Sequence, residues 1–187
     1  MLKLHVISTS TRPGRKGPII ARWFEGAARA HGGFETTFVD LAEVGLPIFD
    51  EPKHPRLRQY EHEHTKRWSA IVEAADAYAF VFPEYNYFPP SSFVNALDFL
   101  VGEWGYKPAG LVTYGGVSGG LRAAQAAKLH LTALKMVPLT EGVPIPNFGA
   151  HLGEDGSFRS NELIDTSVTT MLGELVRWAT ALKTMRG

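Results

Sequence analysis

Ala77-Tyr78-Ala79-Phe80-Val81-Phe82 is an unbroken apolar run, with no polar residue to mark an exposed face. A half-exposed strand alternates polar with apolar; a run without alternation is covered on both faces, the condition of a central strand in a parallel sheet. The flanks agree. Before it, from about Leu57, Tyr60, His64, Trp68, Ile71, Val72 and Ala75 recur at helical spacing. After it, Pro83 to Pro90 is a loop, and Ser91 or Ser92 can cap a helix carrying Phe93, Val94, Ala96, Leu97, Leu100 and Val101.

The same alternation continues in both directions. Leu2 to Ser8 reads as a first strand, and Ile19, Ile20, Trp23, Phe24, Ala27, Ala28 and His31 form a helical stripe that stops at Gly32-Gly33. Phe34 to Leu41 is a second strand, and Glu43 to Pro55 is a loop punctuated by Gly45, Pro47, Pro52 and Pro55. Beyond the central run, Pro108 to Tyr114 is a fourth strand. Leu121, Ala124, Ala127, Leu131 and Leu134 then share a helix face, and Val137 to Ile145 is a fifth strand. Gly149 to Ser160 is a polar turn region. A final helix from about Asn161 turns Ile164, Val168, Met171, Leu172, Leu175, Ala179 and Leu182 inward. Strands alternating with helices predict an α/β fold: a five-stranded parallel sheet with helices on both faces, its simplest order the flavodoxin-like 2-1-3-4-5. Ligands of such sheets sit beyond the C-terminal strand ends, near the switch between strands one and three.

The chain has 187 residues, 44% hydrophobic and 20% charged, which suits one domain spanning residues 1–187. Formal net charge is zero, so no basic footprint points to nucleic acid. Without cysteine there is no disulfide, thiolate metal site, cysteine-ligated cluster or cysteine nucleophile. No apolar run approaches about 18 residues and the start lacks a signal-peptide core, so a cytoplasmic protein without membrane partners is expected. His62 and His64 are expected on different faces of a helix, no HxxxH or HExxH occurs, and no metal is predicted.

Three loops fall at the expected ligand edge. In Ser8 to Pro18, hydroxyls from Ser8, Ser10 and Thr11, charge from Arg12, Arg15 and Lys16, and a helix N-terminus opened by Gly17-Pro18 suit a phosphate monoester. The same residues also read as a solvated hydroxyl-rich loop with a helix cap. Neither GxGxxG nor GxxxxGK[ST] is present, which argues against a dinucleotide fingerprint or an ATP loop. In Pro83-Glu84-Tyr85-Asn86-Tyr87-Phe88-Pro89-Pro90, aromatics can frame a flat ring and Asn86 can hydrogen-bond its edge. The alternative is a turn packed on a neighbouring subunit. Glu84 can serve as general acid or base, cap a helix or pair with a cation. Gly116-Val117-Ser118-Gly119-Gly120 matches G-x-S-x-G, which raises a serine hydrolase with Ser118 as nucleophile and Glu141 and His151 as partners. The loop reads equally as close helix–sheet packing, or as N–H groups facing a ring carbonyl.

Together these residues resemble the NADPH-dependent FMN reductase family, which includes flavin-containing quinone, azo-dye and chromate reductases. The resemblance rests on Ser10-Thr11-Arg12-Pro13-Gly14-Arg15, on Pro83-Glu84-Tyr85-Asn86 with Asn95-Ala96-Leu97-Asp98, and on Gly115-Gly116 with Gly119-Gly120-Leu121-Arg122-Ala123, in that order. It covers nearly the whole chain. It implies a flavodoxin-like fold, non-covalent FMN, NADPH as hydride donor, and a homodimer or homotetramer with its interface near the flavin. Carried over, Ser10, Arg12, Lys16, Gly17 and Pro18 hold the FMN phosphate, Pro83, Glu84, Tyr85 and Asn86 line the isoalloxazine, and Gly115, Gly116 and Ser118 approach its other edge. Thr9 and Val94 stand where the family usually has glycine and often has lysine. The expected reaction is ping-pong: hydride passes from NADPH to flavin N5 and then to a quinone-like, azo or other small acceptor, with no protein nucleophile. Arg12 and Arg15 are the candidates for the NADPH 2′-phosphate. A flavodoxin-like electron carrier or a flavin-binding regulatory protein are the alternative readings.

Overall fold

A computed structural model describes residues 1–186. Five strands, β1 (Leu2–Ser8), β2 (Phe34–Asp40), β3 (Ala77–Pro83), β4 (Pro108–Tyr114) and β5 (Val137–Ile145), form one sheet of order β2-β1-β3-β4-β5. All four ladders are parallel. Six helices connect or follow them: α1 (Gly17–His31), α2 (Leu41–Val44), α3 (Glu63–Glu73), α4 (Ser91–Asp98), α5 (Leu121–Ala133) and α6 (Glu162–Lys183). The expected flavodoxin-like α/β sheet is therefore present. The β5 edge carries protection: Pro138 and Pro144 lack the N–H an added strand would need.

The central strand explains the two-sided core. Every residue of β3 is buried, and successive side chains enter different clusters. Ala77, Ala79 and Val81 join the cluster built with Ile20, Phe24 and Ala28 of α1 and Val168, Met171 and Leu175 of α6. Tyr78, Phe80 and Phe82 join the cluster built with Trp68 of α3, Phe93 of α4, Leu131 of α5 and Trp104. One face of the strand is small and admits two helices closely; the other is aromatic, with Tyr78 and Trp104 ring centroids 5.1 Å apart and Phe80 and Phe93 5.3 Å apart.

Several boundaries differ from expectation, each for a local reason. Asp40, the last residue of β2, also caps α2, its Oδ1 accepting the Ala42 N–H at 3.0 Å, so the loop after the second strand begins with a short helix. α3 starts at Glu63 rather than near Leu57. Pro55–Leu57 forms a 3-10 turn, Arg58 turns left-handed, and Tyr60 sends its hydroxyl to Glu103 Oε1 at 2.8 Å. Neither serine caps α4; Pro90 precedes it without a side-chain cap, and the Ser92 hydroxyl donates to the Thr9 carbonyl. The helix ends at Asp98, before Leu100 and Val101. Leu121 is 53% exposed, not part of the buried face of α5. His62 and His64 do not point apart: their rings stack at 5.1 Å, and the His64 Nε2 lies 2.9 Å from Asp50 Oδ1. Among the described residues no helix is long and apolar enough to cross a membrane.

Candidate functional site

The ends of β1, β3 and β4 bring the three loops to one edge. Ser8 pairs with Val81 in the ladder, and Pro83 with Tyr114, so the loops leave the sheet side by side. Thr9 seals the first crossing, its N–H and hydroxyl both directed to the Val81 carbonyl at 3.1 and 3.3 Å.

Ser8 to Pro18 forms a loop whose floor is hydroxyl-rich and buried. Ser8 and Ser10 are fully or almost fully buried, and Ser8 Oγ has no hydrogen-bond partner. Gly17 opens α1 directly above them. A Cβ on Gly17 would lie 2.8 Å from the Tyr114 hydroxyl and 3.4 Å from Ser8 Oγ, so this glycine is what lets the backbone settle onto the floor. Lys16, at the N-cap, offers no side-chain cap to α1. Among the described residues the N–H groups of Thr11, Arg12 and Gly17 have no acceptor, while Arg15 N–H closes a turn onto the Arg12 carbonyl. Thr11, Arg12 and Lys16 are exposed, and neither cation forms an ion pair with a described residue. Arg15 is engaged elsewhere: its Nη2 lies 2.7 Å from Asp40 Oδ2, with an almost fully buried carboxylate. Free N–H groups at a helix start, buried hydroxyls and two unpaired cations are a donor set for a phosphate monoester.

Pro83 to Pro90 turns back on itself. Tyr85 N–H donates to the Phe88 carbonyl at 2.9 Å and Phe88 N–H to the Tyr85 carbonyl at 3.0 Å, with Asn86 and Tyr87 at φ values of 50° and 74°. Two successive left-handed residues define a tight hairpin turn. It presents Tyr85, Tyr87 and Phe88 at the surface, the last two more than half exposed. Tyr85 also reaches the first loop, its hydroxyl 3.1 Å from Ser10 Oγ.

The glycine loop continues β4. Gly115 and Gly116 hold the segment after β5 through their carbonyls, which accept from Phe148 N–H at 3.2 Å and Asn147 N–H at 2.9 Å. Gly116 is exposed with open space where a side chain would be. Ser118 Oγ accepts the Gly120 N–H at 3.4 Å. His151 Nδ1 lies 2.9 Å from the Arg159 carbonyl and its ring stacks on Phe158, while Glu141 lines a groove between α5 and β5. No hydrogen bond among the described residues links Ser118 with Glu141 or His151, so a hydrolytic triad is not assembled.

Glu84 crosses from the second loop to the third. Burial alone would raise its carboxyl, but the Ala123 N–H, the Arg122 side chain and the Ser118 hydroxyl more than compensate and hold it below the usual range. A carboxyl held ionised in this way is a poor general acid at neutral pH.

Glu84 takes two of the roles open to it in sequence, a helix cap and a cation pair, whereas most groups that join the loops carry no local signal. Tyr114 beneath Gly17, Asp40 on Arg15, Ser92 on the Thr9 carbonyl and Arg122 on Glu84 all come from distant segments. Asp40 alone left a local sign, an Asp followed three residues later by Glu43 before a helical turn. Beside Thr11, a cavity of about 820 Å³ opens between α2 and α4, lined in part by Leu46, Pro47, Ser91 and Asn95 and by neither of the other two loops.

The model of the NADPH-dependent FMN reductase family matches residues 2–150. An NAD(P)H-dependent FMN reductase of Schizosaccharomyces pombe is 36% identical over 168 residues, spanning 81% of this chain and 84% of the relative. Another of that description, from Saccharomyces cerevisiae, is 29% identical over 175 residues, spanning 80% of this chain and 91% of the relative. Among solved structures, the flavoenzyme NAD(P)H:(acceptor) oxidoreductase FerB of Paracoccus denitrificans superposes with a TM-score of 0.76 at 21% identity. That match covers 97% of this chain and 98% of the other.

Proposed function

The chain belongs to the NADPH-dependent FMN reductase family, and from that premise we propose an NAD(P)H-dependent oxidoreductase that binds FMN without a covalent link and reduces a small acceptor. The observation that carries the reading is the convergence of a phosphate-type donor set, an aromatic turn and a glycine loop at one sheet edge, with Ser10 joined to Tyr85.

The residues fit the cofactor. Thr11, Arg12 and Gly17 N–H groups, the Ser10 hydroxyl and the Arg12 and Lys16 cations would hold the phosphate; Ser8 beneath them is buried without a partner. Pro83 to Asn86 and Gly115, Gly116 and Ser118 would border the ring from two sides. When bound, FMN would supply the redox chemistry between NADPH and a quinone-like, azo or other small acceptor, in ping-pong order. The protein binds, orients and leaves access to the ring. With Arg12 at the FMN phosphate and Arg15 paired with Asp40, neither guanidinium is free for a 2′-phosphate. The exposed Tyr87 and Phe88 support a homodimer or homotetramer in which a second copy covers this edge.

The test is an absorption spectrum of the purified protein with FMN, before and after anaerobic NADPH. Retained flavin bands that bleach on NADPH are expected. Retained bands that persist would point to an electron carrier or regulator, and no retained flavin would defeat the proposal.

A further inference from the structure

Glu84 lies in the loop assigned above to the flavin ring, yet its carboxylate faces the start of α5. Its Oε2 accepts the N–H groups of Arg122 at 3.1 Å and Ala123 at 3.4 Å. Its Oε1 accepts from Arg122 Nε at 2.8 Å, and Arg122 Nη2 is also 2.8 Å away. The residue before α5, Gly120, is left-handed and has no side chain, so the helix has no cap of its own. Glu84 supplies one from the neighbouring loop, answering unpaired first-turn N–H groups with negative charge.

The other face of Arg122 completes the contact. Its guanidinium carbon stands 4.1 Å from the centre of the Tyr87 ring. Tyr87 is a bulky residue at a φ of 74°, where such residues are outliers that surrounding contacts must hold in place. Arg122 therefore touches the second loop twice, at the carboxylate of Glu84 and at the strained tip of the turn. No other described ion pair links these two loops.

We propose that Glu84 is a positioning residue: through Arg122 and the first turn of α5 it clamps the aromatic loop to the glycine loop and so fixes the separation between the two walls of the ring site. The proposal rests on the FMN reading for what occupies that site. The clamp itself belongs to the chain and exists without the flavin. Its function is retention, since walls held at a fixed separation slow the departure of a planar ring.

Glu84→Gln removes the charge at similar size, and Arg122→Met breaks the clamp from the other side while keeping an unbranched stem. Melting curves establish that both variants fold. In FMN-free protein, amide hydrogen exchange at Arg122, Ala123 and Phe88 should accelerate at least about tenfold in each variant, the scale of losing hydrogen bonds to a charged group. FMN should dissociate about tenfold faster from both, with association changed less than about threefold, and the double variant should be no worse than the more severe single one. The visible circular dichroism of bound flavin, which reports how the ring is seated, should weaken in both. Unchanged amide exchange or unchanged dissociation would overturn the clamp. If the wild-type protein binds no FMN yet both variants lose amide protection, the flavin reading falls and the clamp stands.

Discussion

The hydroxyls of Ser10 and Tyr85 meet at 3.1 Å, although 75 positions separate them in the chain. The contact joins the loop that carries the phosphate donors to the loop that carries the aromatics. Tyr85→Phe deletes this bond and little else, because the ring remains. The FMN dissociation constant should rise about three- to tenfold, corresponding to roughly 1 kcal/mol. Quenching of flavin fluorescence on titration measures it; an unchanged constant would show that the two loops are held together without this bond.

Ser118 occupies the centre of a G-x-S-x-G sequence, but its hydroxyl accepts the Gly120 N–H and has no histidine base. Ser118→Ala should therefore cost NADPH oxidation less than about tenfold. A loss beyond about a thousandfold, the scale on which catalytic triads fail, would restore a nucleophilic role.

Two glycines in the loops separate backbone strain from collision. Gly14 has a φ of 71° with nothing within 4 Å of an added Cβ, whereas Gly120, at 87°, would place one 2.7 Å from Thr113 Cβ and 3.0 Å from Tyr114 N. Gly14→Ala should cost about 1 kcal/mol and Gly120→Ala about 2–4 kcal/mol. Urea unfolding of both variants gives the comparison, and equal losses would contradict the packing seen around Gly120.

Burial, then the positive charges of Lys107 and Lys3, lowers His5 from 6.5 to about 4. A base with a depressed folded pKa binds its proton more readily in the unfolded chain. Its contribution is complete above about pH 6.5 and declines as pH falls from there toward about 4. Between pH 7 and pH 5 the wild type should lose roughly 1–2 kcal/mol from this residue, and His5→Phe should lose that much less. Identical urea midpoint shifts in the two proteins would exclude His5 as the source.

How much of this was readable from sequence follows from the range of the interactions. The β3 run and the α6 stripe are periodicities within a few residues, and both appear where expected: β3 is buried throughout and Ile164, Val168, Met171, Leu172, Leu175, Ala179 and Leu182 are all buried. The order 2-1-3-4-5 is the simplest for parallel neighbours joined by crossovers, and the sheet adopts it. What failed was governed by distant partners. Tyr60 continues the helical spacing of α3, but its hydroxyl bond to Glu103 holds it in the preceding segment. His62 and His64 looked divergent because a regular helix was assumed to begin before them, whereas His62 is the N-cap and Asp50 collects both rings. At the candidate site, residue types announced a phosphate loop and an aromatic turn. The bonds between loops have no local periodicity and surfaced only with the fold.

The small-residue face of β3 has a consequence for the order in which the protein can mature. Half of its cover is α6, whose Met171 and Leu175 lie so close to Gly110 of β4 that a Cβ there would fall 2.8 Å from the Met171 sulfur. During synthesis all five strands emerge before this helix does, so that face of the sheet has only α1 for cover until α6 is made. Such a surface is a substrate for chaperones and a route to misassembly. It closes when Lys183 and Arg186, at and beyond the end of α6, reach Asp76 beside the start of β3 at 3.2 and 3.0 Å. The loops of the candidate site can thus be translated in full well before the sheet beneath them is sealed.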